Sequence, residues 1–173
     1  QQQSVTMLRG TAGPGEKVTV RCSWEQDRHS VKAAADGNWQ IPLTTPSGGF
    51  EPQWIEVKER NTVRIDDVLI GEVWLCAGQS NMEMPLNGFD KCPIYDSNNV
   101  IADAPNYPGI RVATIERKSA LTPQTYANGE WKEPTTENAQ WFSATGYFYA
   151  LALQRTLQVP VGIINCSWGG SCV

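Results

Sequence analysis

The stretch "VWLCAGQSNMEMPL", Val73 to Leu86, sets Ser80 directly after a short apolar run and a glycine. Placed on a central strand, that run leaves Ser80 just past the carboxyl end, the edge where open α/β sheets gather ligand sites. Gly78 permits a sharp turn there, and the backbone amides that follow can point at one small volume. Ser80 is therefore a candidate nucleophile. The spacing departs from the G-x-S-x-G elbow, because the last position is Met82. By spacing alone, a serine and an asparagine capping a turn are the simpler account. A second glycine turn lies in "INCSWGGS", where Gly169 and Gly170 supply amides unobstructed by side chains. An oxyanion needs such donors when charge develops on a carbonyl oxygen. Two such turns after two parallel strands sit side by side.

Other reactive residues are few. Five cysteines, Cys22, Cys76, Cys92, Cys166 and Cys172, are an odd number without CxxC or zinc-type spacing, so no metal site is implied. Cys76 and Cys166 lie inside apolar runs and read as small buried hydrophobes. Cys92, in a loop, is the better candidate for a disulfide. The single histidine, His29, precedes the serine and reads as a surface or turn residue rather than a base.

With 173 residues, 40% of them hydrophobic and 18% charged, the chain can bury one sizeable core, or one core plus a small module. The net charge is -4 and the 14 Lys and Arg are scattered, which excludes a surface built to neutralise a phosphate backbone. Nucleic acid is not an expected partner. No apolar stretch approaches the roughly 20 residues of a membrane-spanning helix. The opening "QQQSV", without methionine, suggests removal of an upstream segment and export, to a periplasmic, secreted or lysosomal location.

The elements that must hold the two turns follow from pattern. In "KVTVRCSW", Val18, Val20, Cys22 and Trp24 alternate with polar residues, the period of a strand with one buried face. Similar runs recur in "NWQIPL", "QWIEVK" and "NTVRI", separated by the turn sequences "GPGE", "ADGN" and "PSGG". Residues 1–68 are expected to form an antiparallel, sandwich-like β module, and residues 69–173 an α/β region with a parallel sheet. In the latter, "VLIGEVWLCA" suits a strand covered on both faces, with Trp74 in the core. "GIRVATI" and "VPVGIIN" supply further strands. "SATGYFYALALQRTLQ" (143–158) reads as a helix capped by Ser143, its apolar residues including Tyr147, Phe148, Leu151 and Leu157, with Gly146 allowing a close approach to the sheet. Asn81 to Pro108 shows neither period and is expected to be an irregular loop around the pocket that Ser80 faces.

These residues carry a resemblance. "VWLCAGQSNMEMP", followed some 85 residues later by "VPVGIINCSWGGS", resembles the sialate O-acetylesterases and the related acetyl esterases of carbohydrate esterase family six, within the SGNH hydrolase superfamily. The likeness takes in "NTVRIDDVLIGEVW", "YPGIRVATIERKSALTPQ" and "WFSATGYFYALALQ", and more loosely the β segment with "DGNWQIPL". It implies that Ser80 attacks an acetyl ester and contributes its own amide to the oxyanion hole. A glycine amide of "SWGG" completes that hole, Gly170 by preference and Gly169 as the alternative. Gln79 and Asn81 shape the site and Trp168 lines the pocket. The substrate is an O-acetylated sugar, of the sialic acid or xylan type, and no cofactor is required. Lys91 and Arg117 are candidate partners for a sialic acid carboxylate.

The family draws its base from a D-x-x-H block, and a further oxyanion donor from a block with Asn or Gln, both downstream of "GGS". This sequence stops at Val173. The expectation is thus an incomplete SGNH-like region, inactive alone, whose partner is the remaining C-terminal part of the enzyme carrying Asp and His. A carbohydrate-binding fragment without chemistry is the reading from another functional class.

Overall fold

The computed structural model describes residues 1–171, and Cys172 lies outside the described residues. The chain divides into two compact units, Gln1–Gly71 and the segment from Glu72 onward. The division falls three residues beyond the sequence expectation, because the run "VLIGEVWLCA" is two strands rather than one. Its first residues end β6 and its last form β7, with Gly71 between them.

The first unit is built of six strands: β1 (Val5–Thr11), β2 (Lys17–Cys22), β3 (Arg28–Lys32), β4 (Asn38–Thr44), β5 (Gly49–Lys58) and β6 (Thr62–Ile70). Antiparallel pairing orders them as a four-stranded sheet, β3-β2-β5-β6, and a two-stranded sheet, β1-β4. Alternation puts Val18, Val20 and Cys22 of β2 on a buried face. Trp39, Ile41 and Leu43 of β4 do the same, and Val57 of β5 joins them in one core. Gly10 sits opposite Trp39 in the register, and a Cβ there would stand 2.4 Å from the indole, so the glycine makes room for the ring.

The second unit carries the sheet β7-β10-β8-β9. Its strands are β7 (Glu72–Gly78), β8 (Ile110–Thr114), β9 (Trp131–Lys132) and β10 (Val161–Ser167). β10 is parallel to both β7 and β8, while β9 adds antiparallel to β8. Helices α1 (Ser80–Glu83), α2 (Ser97–Asp103), α3 (Thr136–Ala139) and α4 (Ala144–Leu157) complete the unit. Among the described residues, no helix is long and apolar enough to cross a membrane.

Helix α4 begins as the sequence indicates, the Ser143 hydroxyl accepting the Gly146 N–H at 3.1 Å. It packs Tyr147 and Ala150 against Val161 and Ile163 of β10 and Ile110 and Val112 of β8, all buried. Gly146 is where helix and sheet touch: a Cβ there would lie 3.3 Å from the Ile163 methyl. The chain leaving α1 is pinned to the chain entering α4, since the Leu86 N–H donates to the Phe142 carbonyl (2.9 Å) and the Ala144 N–H to the Met84 carbonyl (2.8 Å). Fully buried Leu86 anchors that crossing.

Several expectations are corrected. β7 is an edge strand rather than a central one, with β10 as its neighbour among the described residues. Trp74 is accordingly not core but 43% exposed, resting edge-on against Tyr149 of α4 at 5.3 Å. The segment 81–108 is not wholly irregular, since it contains most of α1, all of α2 and a 3-10 turn at Ala104–Asn106. Cys166 points to the sheet face opposite α4 and is exposed, whereas Cys76 is buried. Cys92 is free and exposed rather than bridged.

Burial, reinforced by the charge of Glu25, pushes the Cys22 thiol up to about 12, and burial raises Cys76. Because the thiolate is the reactive form, burial keeps both thiols in the unreactive neutral state near pH 8. Iodoacetamide at that pH should modify Cys92 and Cys166 in the native protein and reach Cys22 and Cys76 only after denaturation, as read by peptide mapping. Gly146→Val should lower the stability of the second unit by about 1–3 kcal/mol, measured by urea denaturation, because two methyls enter a contact already closed.

Candidate active site

Two strand ends make the site. In the parallel register Ser167 of β10 lies opposite Gly78 of β7, and the Trp168 N–H donates to the Gly78 carbonyl at 3.0 Å. The chains leaving the two strands therefore start side by side. After Gly78 the first turns at once into α1, and a Cβ on Gly78 would approach the Met82 Cβ to 3.1 Å. The Gln79 carbonyl accepts the N–H groups of Met82 (3.0 Å) and Glu83 (2.8 Å), which closes the turn under Ser80.

Ser80 is exposed at the start of α1. Met82, at the position that departs from the elbow pattern, packs toward the core, its sulfur accepting the Ser143 hydroxyl at 3.6 Å. The larger apolar residue is accommodated there because α1 turns its side chain toward the core. The Thr145 hydroxyl of α4 donates to the Asn81 carbonyl at 3.0 Å and steadies α1 from the other side.

The second chain makes a tight turn over Trp168–Ser171, the Ser171 N–H and hydroxyl both reaching the Trp168 carbonyl, at 3.2 and 2.7 Å. Gly170 takes φ +77°, a conformation that favours glycine. A Cβ on Gly169 would stand 3.1 Å from the Ser80 hydroxyl oxygen and 2.6 Å from Oε2 of Glu83. The hydroxyl and the glycine turn thus meet across a gap that only a residue without a side chain leaves open. Gln79 is tied into the same arrangement, its Nε2 donating to the Ser171 carbonyl. Its side chain therefore holds one turn to the other rather than reaching outward.

One residue of this site, Glu83, escaped the sequence reading, and Arg117, weighed as a partner for a substrate carboxylate, has a different role. The Gly169 N–H donates to the Glu83 carboxylate, whose other oxygen faces Arg117 Nη2 at 2.8 Å. Arg117 Nε in turn donates to the Ser167 carbonyl at 3.2 Å. The N–H of Gly169, weighed as the alternative oxyanion donor, is engaged by Glu83. Arg117 is corrected as an open receptor for a substrate carboxylate, because its charge is already matched. Glu83 lies within the quoted "NMEM", three residues after Ser80, yet nothing in spacing alone shows that it turns toward a glycine 86 residues away.

The remaining expected residues are placed less closely. Trp168 is exposed and lines a cavity of about 520 Å³ with Arg117, Lys118, Tyr126 and Cys166. Lys91 stands on an exposed turn at φ +58°, with no ion pair to the site among the described residues. His29 belongs to β3 of the first unit, its Nε2 2.9 Å from the Glu25 carboxylate four residues earlier.

Comparison with known proteins agrees with the sequence resemblance. No family model matches the chain. Human sialate O-acetylesterase is 33% identical over 182 residues, covering 95% of this chain and 34% of that protein. The mouse sialate O-acetylesterase is 30% identical over 188 residues, covering 99% of the chain and 34% of the relative. The crystal structure of a carbohydrate acetylesterase from Xanthomonas citri superposes with a TM-score of 0.91 at 34% identity, over 99% of this chain and 38% of that one. The chain spans about a third of the length of the curated relatives it matches. Along nearly its whole length it is related in sequence to the sialate O-acetylesterases, and in sequence and fold to a carbohydrate acetylesterase.

Proposed function

We propose that this chain carries the nucleophile and part of the oxyanion hole of a serine O-acetylesterase acting on acetylated sugars, built on an SGNH-type sheet. The observation that carries the reading is the meeting of the exposed Ser80 hydroxyl with the side-chain-free position of Gly169. A turn-capping serine has no need of that gap; a nucleophile that must admit an ester carbonyl does.

In the proposed reaction the Ser80 oxygen attacks the acetyl carbon, and negative charge gathers on the carbonyl oxygen. Among the described residues the N–H groups of Ser80 and Gly170 make no hydrogen bond, so both are available to that oxygen. Collapse expels the sugar hydroxyl and leaves acetyl-Ser80, which water hydrolyses to acetate and free serine. The serine must lose a proton as it attacks and the departing sugar must gain one. With His29 engaged by Glu25 in the other unit, the base is assigned to a D-x-x-H block in the rest of the polypeptide, as the family pattern implies. The same remaining part is the proposed partner of the exposed sheet face. Export belongs to this proposal too, since its substrates are glycans.

Acetylated sialic acid is the preferred substrate, on the strength of the sialate O-acetylesterases that the chain resembles. The Xanthomonas citri neighbour, a carbohydrate acetylesterase, favours the broader class as the second reading, acetylated xylan included. Arg117 does not decide between them, because its charge is held by Glu83.

The test uses the complete product of the gene. An organophosphonate should add to Ser80, located by mass spectrometry, and Ser80→Ala should lower acetyl release from p-nitrophenyl acetate by about a thousandfold or more. Comparison of O-acetylated sialic acid with acetylated xylan ranks the two substrates. Residues 1–173 alone should give turnover no higher than the reagent background. Undiminished hydrolysis by Ser80→Ala would overturn the assignment.

A further inference from the structure

Glu83 of α1 is held on both of its carboxylate oxygens. Its side chain is 18% exposed, although a carboxylate withdrawn from water must be matched by donors and opposite charge. Both oxygens are so matched, and by groups of the site alone. One accepts the Gly169 N–H, and the other meets Arg117 at 2.8 Å. Arg117 then reaches the Ser167 carbonyl, the last of β10, at 3.2 Å. The contacts form a closed circuit from Glu83 to the Gly169 amide, along the chain to the Ser167 carbonyl at the end of β10, from there to Arg117 and back to Glu83.

We infer that Glu83 is a positioning residue of the esterase: by holding the Gly169 amide it sets the glycine turn, and with it the Gly170 N–H, against Ser80. This rests on the reading of Ser80 as nucleophile and Gly170 as oxyanion donor. An amide hydrogen bond to a carboxylate is charge-assisted, stronger and more directional than one to a neutral acceptor. It stands three residues from the nucleophile on the same helical turn, so any shift of α1 carries nucleophile and clamp together. The circuit also accounts for the order of the two glycines. Gly169 must lack a side chain because a Cβ would lie 2.6 Å from the Glu83 oxygen, whereas a Cβ on Gly170 would meet open space. Gly170 is required instead by its backbone, which takes φ +77°. Oxyanion donors act only within narrow distance limits, and a misplacement of about 1 Å costs on the order of a hundredfold in rate. Arg117 serves the circuit by keeping the carboxylate matched from the side away from the glycine.

The experiment compares kcat and KM in the complete gene product. Glu83→Ala should lower kcat by about 10- to 100-fold with KM changed by no more than about threefold, and should slow organophosphonate labelling of Ser80 in parallel. Glu83→Gln keeps an oxygen for the Gly169 N–H and loses the match to Arg117, so it should recover most of that loss. Arg117→Met should fall between the two. A Glu83→Ala enzyme within about twofold of the parent kcat, or one changed in KM alone, would overturn the inference. Should Glu83→Ala fail to fold by circular dichroism, a kcat for Arg117→Met within about twofold of the parent would overturn it equally. Ser80→Ala run alongside separates the two failures: if it keeps activity, the nucleophile assignment fails; if it loses activity while the Glu83 variants do not, only the clamp fails.

Discussion

The parallel pairing of β10 with β7 is the constraint from which the rest of the second unit follows. Seven consecutive residue pairs run from Val161–Glu72 to Ser167–Gly78, so both strands end at the same level. A shift of one residue would turn Val161 and Ile163 away from α4 and bring Gly162 and Ile164 inward. The register is therefore fixed by burial far from the site, where Ile163 and Tyr147 are enclosed, and expressed at the strand ends, where Ser80 and Gly169 meet. Neither turn recognises the other through a large interface. They are brought together by the sheet and then joined by a few polar contacts from Gln79, Glu83 and Arg117.

Legibility in the sequence tracked how local the determining physics is. The start of α4 was readable because Ser143 and Gly146 are three residues apart and make their hydrogen bond within one turn. β2 and β4 were readable because their buried faces alternate strictly. β1 and β3 were not, since "RHSVK" places one aliphatic residue among polar ones and both strands gain their place from neighbours. Trp74 misled because an apolar run specifies a strand but not its position in the sheet. At the site, the serine and glycines were legible as unusual residue types at strand ends. The pairing of Glu83 with Arg117 was not, since it depends on a register set between residues some ninety positions apart.

The sheet face opposite α4 is unevenly covered. Leu75 is 67% exposed and Cys166 is open to solvent, while Trp131 of β9 lies over Gly162, 3.1 Å from where a Cβ would stand. β7 also offers an unpaired edge among the described residues. Apolar exposure beside an open edge is a combination that folded proteins ordinarily cover or blunt. Here it adjoins the site directly, because Trp168 and Cys166 continue the same face of β10 into the cavity beside Arg117.

β10 itself records the division between packing and chemistry. On its α4 face the order is Val161, Ile163, Asn165, Ser167, apolar at the start and polar at the end that bears the site. All four are buried, yet among the described residues Asn165 Oδ1 and Ser167 Oγ have no hydrogen-bond partner. Two further aliphatic residues would extend the core without that penalty, which for an unpaired buried polar group is of the order of 1–3 kcal/mol. The strand instead carries polar atoms into the ground beneath Gly78 and the glycine turn, where Ser167 pairs with Gly78 in the register and lends its carbonyl to Arg117. Polarity is confined to the end of the strand that meets Gly78 and the glycine turn, while Tyr147 and Ile163 close the apolar half.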